Sequence, residues 1–278
     1  MSTAQPGLGI IGGSGLYRLP GADVISSEQV DTPYGPTSAP VTLARLGGRD
    51  VAFLPRHGTT HALPPHRINY RANVWALASV GVRAVLSSAA VGSLAPDQRP
   101  GRFAVVTDLL DRTSGRADTF YDGGNDAGVQ HLQTTQVWCP VLRGALVAAL
   151  RRHDEEYRDR AVLAVINGPR FAGEAESAAL RDAGADLVSM TQYPEAVLAA
   201  ELNLGYATLA YITDADTGHD GSEPVSAQLV FDRLAAAQER VLAVLGTVAA
   251  DWDAGYRSPQ AMDPQAVARV LAQPVVTP

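Results

Sequence analysis

Two carboxylates stand two residues apart in Thr213-Asp214-Ala215-Asp216, directly after the apolar run Tyr206–Ile212. Acids just beyond a strand lie where α/β folds collect ligands, at the carboxyl edge of the sheet. A carboxylate there accepts a hydrogen bond from an exocyclic amine or passes a proton to a leaving base. The pair also fits a solvated loop tip, with Asp216 opening the segment Thr217–Glu223. A second polar strand end occurs in Phe53-Leu54-Pro55-Arg56-His57-Gly58. The planar fork of an arginine suits phosphate oxygens, and His57 is read as a further donor. A surface ion pair is the other reading of Arg56. His61 and His66 follow, but no carboxylate or Cys lies at ligand spacing and HGTTH is not HExxH, so no metal is expected.

Three more segments carry chemistry-bearing residues at strand ends. Gly9-Ile10-Ile11-Gly12-Gly13-Ser14-Gly15 follows a strand directly, and close glycines let backbone N–H groups face an anion, with the Ser14 hydroxyl beside them. The spacing is neither GxGxxG nor GxxxxGK[ST], so a dinucleotide or nucleoside-triphosphate site is not indicated; a tight strand exit without a ligand fits as well. In Asn167-Gly168-Pro169-Arg170-Phe171 a sharp turn leaves Phe171 as a stacking platform or as a core ring. In Ser189-Met190-Thr191-Gln192-Tyr193-Pro194-Glu195, Thr191 precedes a helix whose first residue is read as Pro194, so it caps that helix or reaches an anion near its positive end. Met190 is an apolar surface for a flat ligand or ordinary core filler.

Short apolar runs must hold these turns. Leu8–Ile11, Val41–Leu46, Val51–Leu54, Ala84–Leu86, Ala104–Val106, Ala161–Ile166, Leu187–Val188 and Tyr206–Ile212 read as strands. Tyr70–Val80, Val141–His153, Glu174–Ala183, Pro194–Leu202 and Val225–Val248 read as helices. The alternation predicts an α/β fold, a single domain with a central mixed β-sheet flanked by helices, in which the two runs around Gly47-Gly48-Arg49-Asp50 form a hairpin. Residues 1–250 make that domain; residues 251–278, with four prolines, read as a tail with one short helix at 264–272. The stretch Arg112–Trp138 has no periodicity and is read as functional, interfacial or a surface excursion.

Bulk properties exclude several classes. The net charge is −7, from 22 basic and 29 acidic residues, and no Lys/Arg-rich block occurs, which argues against nucleic acid or an anionic membrane surface as partner. The single Cys139 excludes an internal disulfide. No basic leader and no run of 18 apolar residues is found, so a cytoplasmic protein is expected.

The set IGGSGLY, DTPYGPTSAP, FLPRHGTTH, INYRANVWAL, VGSL, DRTSGRADTFYDGG, NGPRF, AES, MTQYPEAVLAAELNLGYA and TDAD, in this order over residues 9–216, resembles the purine nucleoside phosphorylase family and most closely its 5′-methylthioadenosine phosphorylase branch. The resemblance implies phosphorolysis of the N-glycosidic bond of a 5′-modified 6-aminopurine nucleoside, with inorganic phosphate as co-substrate, no cofactor, and a homotrimer. It implies a phosphate held by Ser14, Arg56, His57, the backbone near Ala89 and Ala90, and Thr191. It also implies Met190 against the ribose, Phe171 on the purine, Asp214 at N7 and Asp216 at the 6-amino group. Ala227 and Val230 would line the 5′ pocket, and His131 of a neighbouring copy would border it. Alternatives are a 6-oxopurine nucleoside phosphorylase, a relative taking an unusual 5′-modified nucleoside, and a non-catalytic nucleoside-binding protein.

The chain departs from the family pattern at Ala89, where Thr or Cys is common, at Asn167 before GPRF, at Ser189 before Met-Thr, in AGEAES and in the 217–223 loop. A proton at N7 requires Asp214 to be protonated near neutrality, which burial and an acidic neighbour would favour.

Overall fold

Runs of Val, Ile, Leu and Ala too short for helices become the buried strands of one extended sheet. The computed structural model describes residues 5–133, 137–218 and 221–275. The first half of the chain contains β1 (Leu8–Gly12), β2 (Asp23–Glu28), β3 (Val41–Leu46), β4 (Arg49–Pro55), α1 (Tyr70–Ser79), β5 (Ala84–Ser93) and β6 (Phe103–Arg112). The second half contains α2 (Pro140–Arg152), β7 (Tyr157–Ile166), α3 (Glu174–Asp182), β8 (Leu187–Ser189), α4 (Gln192–Glu201), β9 (Gly205–Asp214), α5 (Ala227–Ala250) and α6 (Pro264–Leu271).

The strand order is β2-β3-β4-β1-β5-β8-β7-β6-β9, and β9 also pairs with β5. Strands β5, β8, β7, β6 and β9 therefore close a ring, from which β1, β4, β3 and β2 extend as an open wing. Within this mixed sheet β4, β1, β5 and β9 are mutually parallel and end on one edge. The short β8 runs against β5, and its pairing of Val188 with Gly92 carries the Ser189–Thr191 turn to that edge. The predicted hairpin is β3–β4, with the two-residue turn Gly47-Gly48 in the left-handed region, which right-twisted strands favour.

Two apolar layers cover the sheet. One is built on α1, α4 and α6, with Trp75, Leu77, Leu198 and Val270 in its core. The other is built on α2 and α5, with Leu146, Leu150, Val244 and Leu245. The helix read over Val225–Val248 is α5; it buries Leu234, Val241, Val244, Leu245 and Val248, and Ser226 caps it by accepting from the Leu229 N–H. After residue 250 the chain folds back: α6 is capped by Asp263, buries Ala266, Val267 and Val270, and receives the Trp75 indole N–H on the Val270 carbonyl at 3.1 Å.

Four strands differ from the reading of the sequence: β6 runs on from Val106 to Arg112, β7 begins at Tyr157 rather than Ala161, and β2 and β5 depart further. Strand β2 is an exposed edge strand defined only by pairing with β3, so its residues carry no burial pattern. Strand β5 continues seven residues beyond Leu86 to Ser93, and small side chains (Ser, Ala, Gly) obscure that half. No helix among the described residues is long and apolar enough to cross a membrane. No group of three His, Cys, Asp or Glu among them is placed to hold a metal.

Candidate active site

The carboxyl ends of β1, β4, β5 and β9, the β8 turn and the start of α5 surround a cleft of about 380 Å³. Arg56 and Asp214 both line it, at the ends of β4 and β9. Ser14, His57, Ala89, Ala90, Phe171, Met190, Thr191, Asp216, Ala227 and Val230 share the same cleft. His131 is the exception: it is exposed and does not line the cleft of its own chain.

At the anion end the backbone comes very close to the arginine. A Cβ on Gly13 would lie 2.4 Å from the Ser88 carbonyl oxygen and 2.9 Å from Arg56 Nη1, so only glycine fits there. The Gly13 N–H donates to Ser88 Oγ at 2.9 Å. The Arg56 fork does not face open solvent. Nε and Nη2 donate to the two carboxylate oxygens of Glu195 at 2.6 and 2.7 Å, Nη2 also to Ser87 Oγ at 2.6 Å, and Nη1 to the Ser88 carbonyl at 3.0 Å. Burial opposes the guanidinium's charge, but Glu195 more than offsets it and the pKa rises. Of the five guanidinium N–H groups, one on Nη1 is left for a ligand. The surface ion pair considered for Arg56 is therefore a buried one.

His57 differs from the donor read in the sequence. Its Nδ1 lies 2.8 Å from the Leu63 carbonyl oxygen, which can only accept, so Nδ1 carries the ring proton. Burial, then the adjacent Arg56, pulls its pKa down to about 4 despite the Leu63 bond. The neutral ring thus presents Nε2 as an acceptor. The His61 ring stacks on it at 4.5 Å, and His61 Nδ1 pairs with Tyr17 Oη at 3.1 Å.

At the opposite end Asp214 is only 4% exposed. Its Oδ2 accepts from Thr213 Oγ1 at 2.7 Å and its Oδ1 from the Asp216 N–H at 2.9 Å. These bonds favour the anion, yet burial prevails, with a smaller push from Asp216, and the carboxyl is raised to about 6. Asp216 is not a solvated loop tip: it is buried and accepts from the Ser177 hydroxyl of α3. Arg233 of α5 donates to the Thr213 carbonyl and so ties that helix to the acidic strand end. Gly92 gives the acid room, since a Cβ there would lie 2.8 Å from Asp214 Oδ1.

Phe171, Met190 and, from α5, Ala227, Val230 and Phe231 also line the cleft. Thr191 makes no capping bond to α4, and Tyr193 interrupts the helical backbone, so the regular turns begin at Pro194; the Thr191 hydroxyl, which accepts from Gln192 Nε2 at 3.4 Å, keeps its own proton to donate into the cleft it lines. Arg116, from the irregular stretch after β6, donates to the carbonyls of Met190 at 2.8 Å and Asn167 at 3.1 Å and to that of Tyr193. Glu201 anchors the same stretch through Thr119 Oγ1 and the Phe120 N–H, both at 2.7 Å. Residues 134–136 and 219–220 of the two loops singled out in the sequence lie outside the described residues.

Reading the sequence missed Glu195, Ser87, Arg116 and Phe231. Glu195 follows Pro194 and looks like an ordinary acid of a helix's first turn; its partner is 139 residues away. Phe231 is four residues past Ala227, on the same face of α5, and that spacing was the available signal.

A family model described as the phosphorylase superfamily matches residues 8–250. The chain is 48% identical over 224 residues to the S-methyl-5′-thioadenosine phosphorylase of Mycolicibacterium smegmatis, covering 81% of this chain and 83% of that one. It is 42% identical over 230 residues to the 6-oxopurine nucleoside phosphorylase of Pyrococcus furiosus, covering 81% and 86%. Among solved structures, methylthioadenosine phosphorylase from Schistosoma mansoni in complex with adenine superposes with a TM-score of 0.83 at 33% identity, covering 87% and 90%.

Proposed function

The chain belongs to the phosphorylase superfamily, and from that premise we propose that it splits the N-glycosidic bond of a 6-aminopurine nucleoside bearing a small apolar 5′ group, with inorganic phosphate as the acceptor of the sugar. It is an enzyme of the nucleoside phosphorylase type. One observation carries the reading: a single cleft has an anion end built on Arg56 and, across from it, a buried carboxyl whose pKa is near 6.

Phosphate is held at Ser14, the free Arg56 N–H, His57, the backbone at Ala89 and Ala90, and Thr191, beneath the sugar. The bond from C1′ to the base breaks ahead of full attack, and the sugar gains cationic character. The fixed anion stabilises that charge and then closes on C1′ from the opposite face. Positioning and charge placement supply most of the acceleration. Asp214 faces N7 of the base. With a pKa near 6, about a tenth of it is protonated at pH 7, a fraction that grows as the purine displaces water. Its neutral form donates to N7 as the base leaves, and Asp216, steadied by Ser177, accepts from the 6-amino group. Phe171 packs on the purine and Met190 on the ribose. Ala227, Val230 and Phe231 favour an apolar 5′ substituent over a hydroxyl.

The active form is a homotrimer, in which the exposed His131 borders the 5′ end of a neighbouring copy's cleft. A 6-oxopurine nucleoside is the second reading; the same protonated Asp214 favours it, because a neutral carboxyl also tolerates a carbonyl oxygen beside N7. Incubation with 5′-methylthioadenosine, adenosine, inosine and methylthioinosine, with and without phosphate, tests both. Base released from the 6-amino substrates only with phosphate is the expected result. Preferential release from inosine or methylthioinosine selects the second reading, and no release from any of them rejects both.

A further inference from the structure

We propose that the anion end of the cleft selects an oxyanion that still carries a hydroxyl hydrogen, because His57 meets the ligand as an acceptor. This rests on the reading that phosphate binds there, and it concerns which chemical form of anion fits.

The ring is fixed by its own loop. Nδ1 donates to the Leu63 carbonyl at 2.8 Å while the Leu63 N–H donates back to the His57 carbonyl at 3.2 Å. That leaves Nε2, with its lone pair, to the cleft that His57 lines. Apart from the Leu63 carbonyl, its surroundings oppose a second ring proton: the residue is 4% exposed, Arg56 is adjacent in sequence, and the His61 ring stacks at 4.5 Å. An oxyanion oxygen without hydrogen would face this lone pair with its own.

Bulk charge does not override that mismatch. The chain contains no lysine, and Arg56 is the sole Lys or Arg lining the cleft among the described residues. Its charge is matched by Glu195, and four of its five N–H groups are engaged inside the protein. Recognition thus falls to matched donors and acceptors: Arg56 Nη1, Ser14 and Thr191 give hydrogen bonds, and His57 takes one. At neutral pH phosphate and arsenate keep at least one hydroxyl hydrogen, whereas sulfate of nearly the same size and shape keeps none. The hydroxyl of phosphate docks on Nε2, which turns a bare oxygen toward the sugar.

The test is calorimetric titration of the full chain, without nucleoside, at pH 7.5 with inorganic phosphate, arsenate and sulfate. Phosphate and arsenate should each bind at least about tenfold more tightly than sulfate. His57→Phe should lose about tenfold in phosphate affinity with sulfate unchanged. Equal affinity for phosphate and sulfate in the unaltered protein overturns the proposal, and that comparison does not depend on a variant folding. Equal loss of both anions in His57→Phe also overturns it, since a donor would serve both. If none of the three anions binds, the phosphorylase reading falls and this one with it; equal binding removes this one alone.

Discussion

Glu195 holds the guanidinium of Arg56 from behind, through two hydrogen bonds of 2.6 and 2.7 Å between side chains that are 0% and 1% exposed. The same carboxylate accepts from Tyr206 Oη at 2.6 Å, so the arginine is fixed in a network rather than resting on one contact. Removing one partner of such a pair leaves a buried charge uncompensated, at a cost of about 3–5 kcal/mol. Glu195→Ala is expected to lose that much in urea unfolding. Glu195→Gln keeps an acceptor and the shape, and is expected to fold. With the charge match gone and Arg56 freer to turn, its apparent KM for phosphate should rise about tenfold, well beyond any change in the nucleoside KM. A phosphate dependence identical to that of the parent enzyme would show that Arg56 is held without Glu195.

Asp214→Asn keeps a similar shape, and its amide can still accept from the Asp216 N–H. Thr213 Oγ1, which also donates to the Val91 carbonyl at 3.2 Å, can receive the new amide. Lost is the carboxyl proton proposed to meet the leaving base. Turnover of 6-aminopurine nucleosides should fall about 10²–10⁴-fold, the usual scale of a general acid, with phosphate affinity within about twofold. Steady-state kinetics and an anion titration separate the two. Undiminished turnover would remove Asp214 from the base.

The same substitution should reveal itself in stability as a function of pH. Asp214 is raised from an ordinary 3.8 to about 6 by burial. Below about pH 4 the carboxyl is protonated in both folded and unfolded chains, and burying it costs nothing extra. Between that pH and about 6 the unfolded chain has released its proton while the folded chain still holds one, so folding weakens as pH rises. Above the folded pKa the full cost is present, on the order of 2–3 kcal/mol for a shift of this size. Asp214→Asn has no charge to bury. It should therefore be more stable than the parent at pH 8 and match it near pH 4, in urea unfolding at both values. A variant less stable at pH 8 would mean that the hydrogen bonds, not burial, govern this carboxyl.

Arg116 donates to the carbonyls of Met190 and Asn167 and to that of Tyr193, joining the Met190 turn, proposed to meet the sugar, to the turn that carries Phe171. Arg116→Met keeps much of the length and none of the donors. Leaving these partly buried carbonyls unpaired should cost about 2–4 kcal/mol. It should also raise the nucleoside KM more than the phosphate KM, because the carbonyls it holds are on the nucleoside side. Equal shifts in both would assign Arg116 a purely structural part.

What the sequence disclosed, and what it withheld, follows from how far each residue's partner lies along the chain. The strand β9 is buried throughout, so its apolar run announced it, while the acids that end it fitted a site or a solvated loop tip and both are found lining the cleft. The glycine turn at Gly12-Gly13 was legible for the same reason, since a strand must leave the sheet there. Strand β2 carries no such mark, because an edge strand owes its form to pairing and not to burial. Arg56 was read as an anion contact or a surface ion pair and lines the cleft, but its buried partner Glu195 was not legible, since no local pattern joins residues so far apart. His57, read as a donor, lines the cleft, but its Nδ1 proton goes to the Leu63 carbonyl. The deciding atom is the carbonyl of Leu63, and a backbone oxygen leaves no trace in residue types.

The α5 wall of the cleft, proposed to meet the 5′ group, offers the sharpest test of substrate class. Ala227, Val230 and Phe231 line it with hydrocarbon, and the Phe231 ring sits edge-on to His61 at 5.3 Å. A hydroxyl placed there would lose water without regaining a partner, whereas a methylthio group gains apolar contact. One small apolar group in such a pocket is worth about 1–3 kcal/mol in kcat/KM. Phe231→Ser opens the wall and adds a hydroxyl that can serve a polar 5′ group. The ratio of kcat/KM for 5′-methylthioadenosine over adenosine should fall at least about tenfold, with most of the change in the methylthio substrate. Stability should change little, because the ring is already 38% exposed. A ratio that stays constant would move the 5′ group away from α5, to a wall made by another part of the chain or by a second copy.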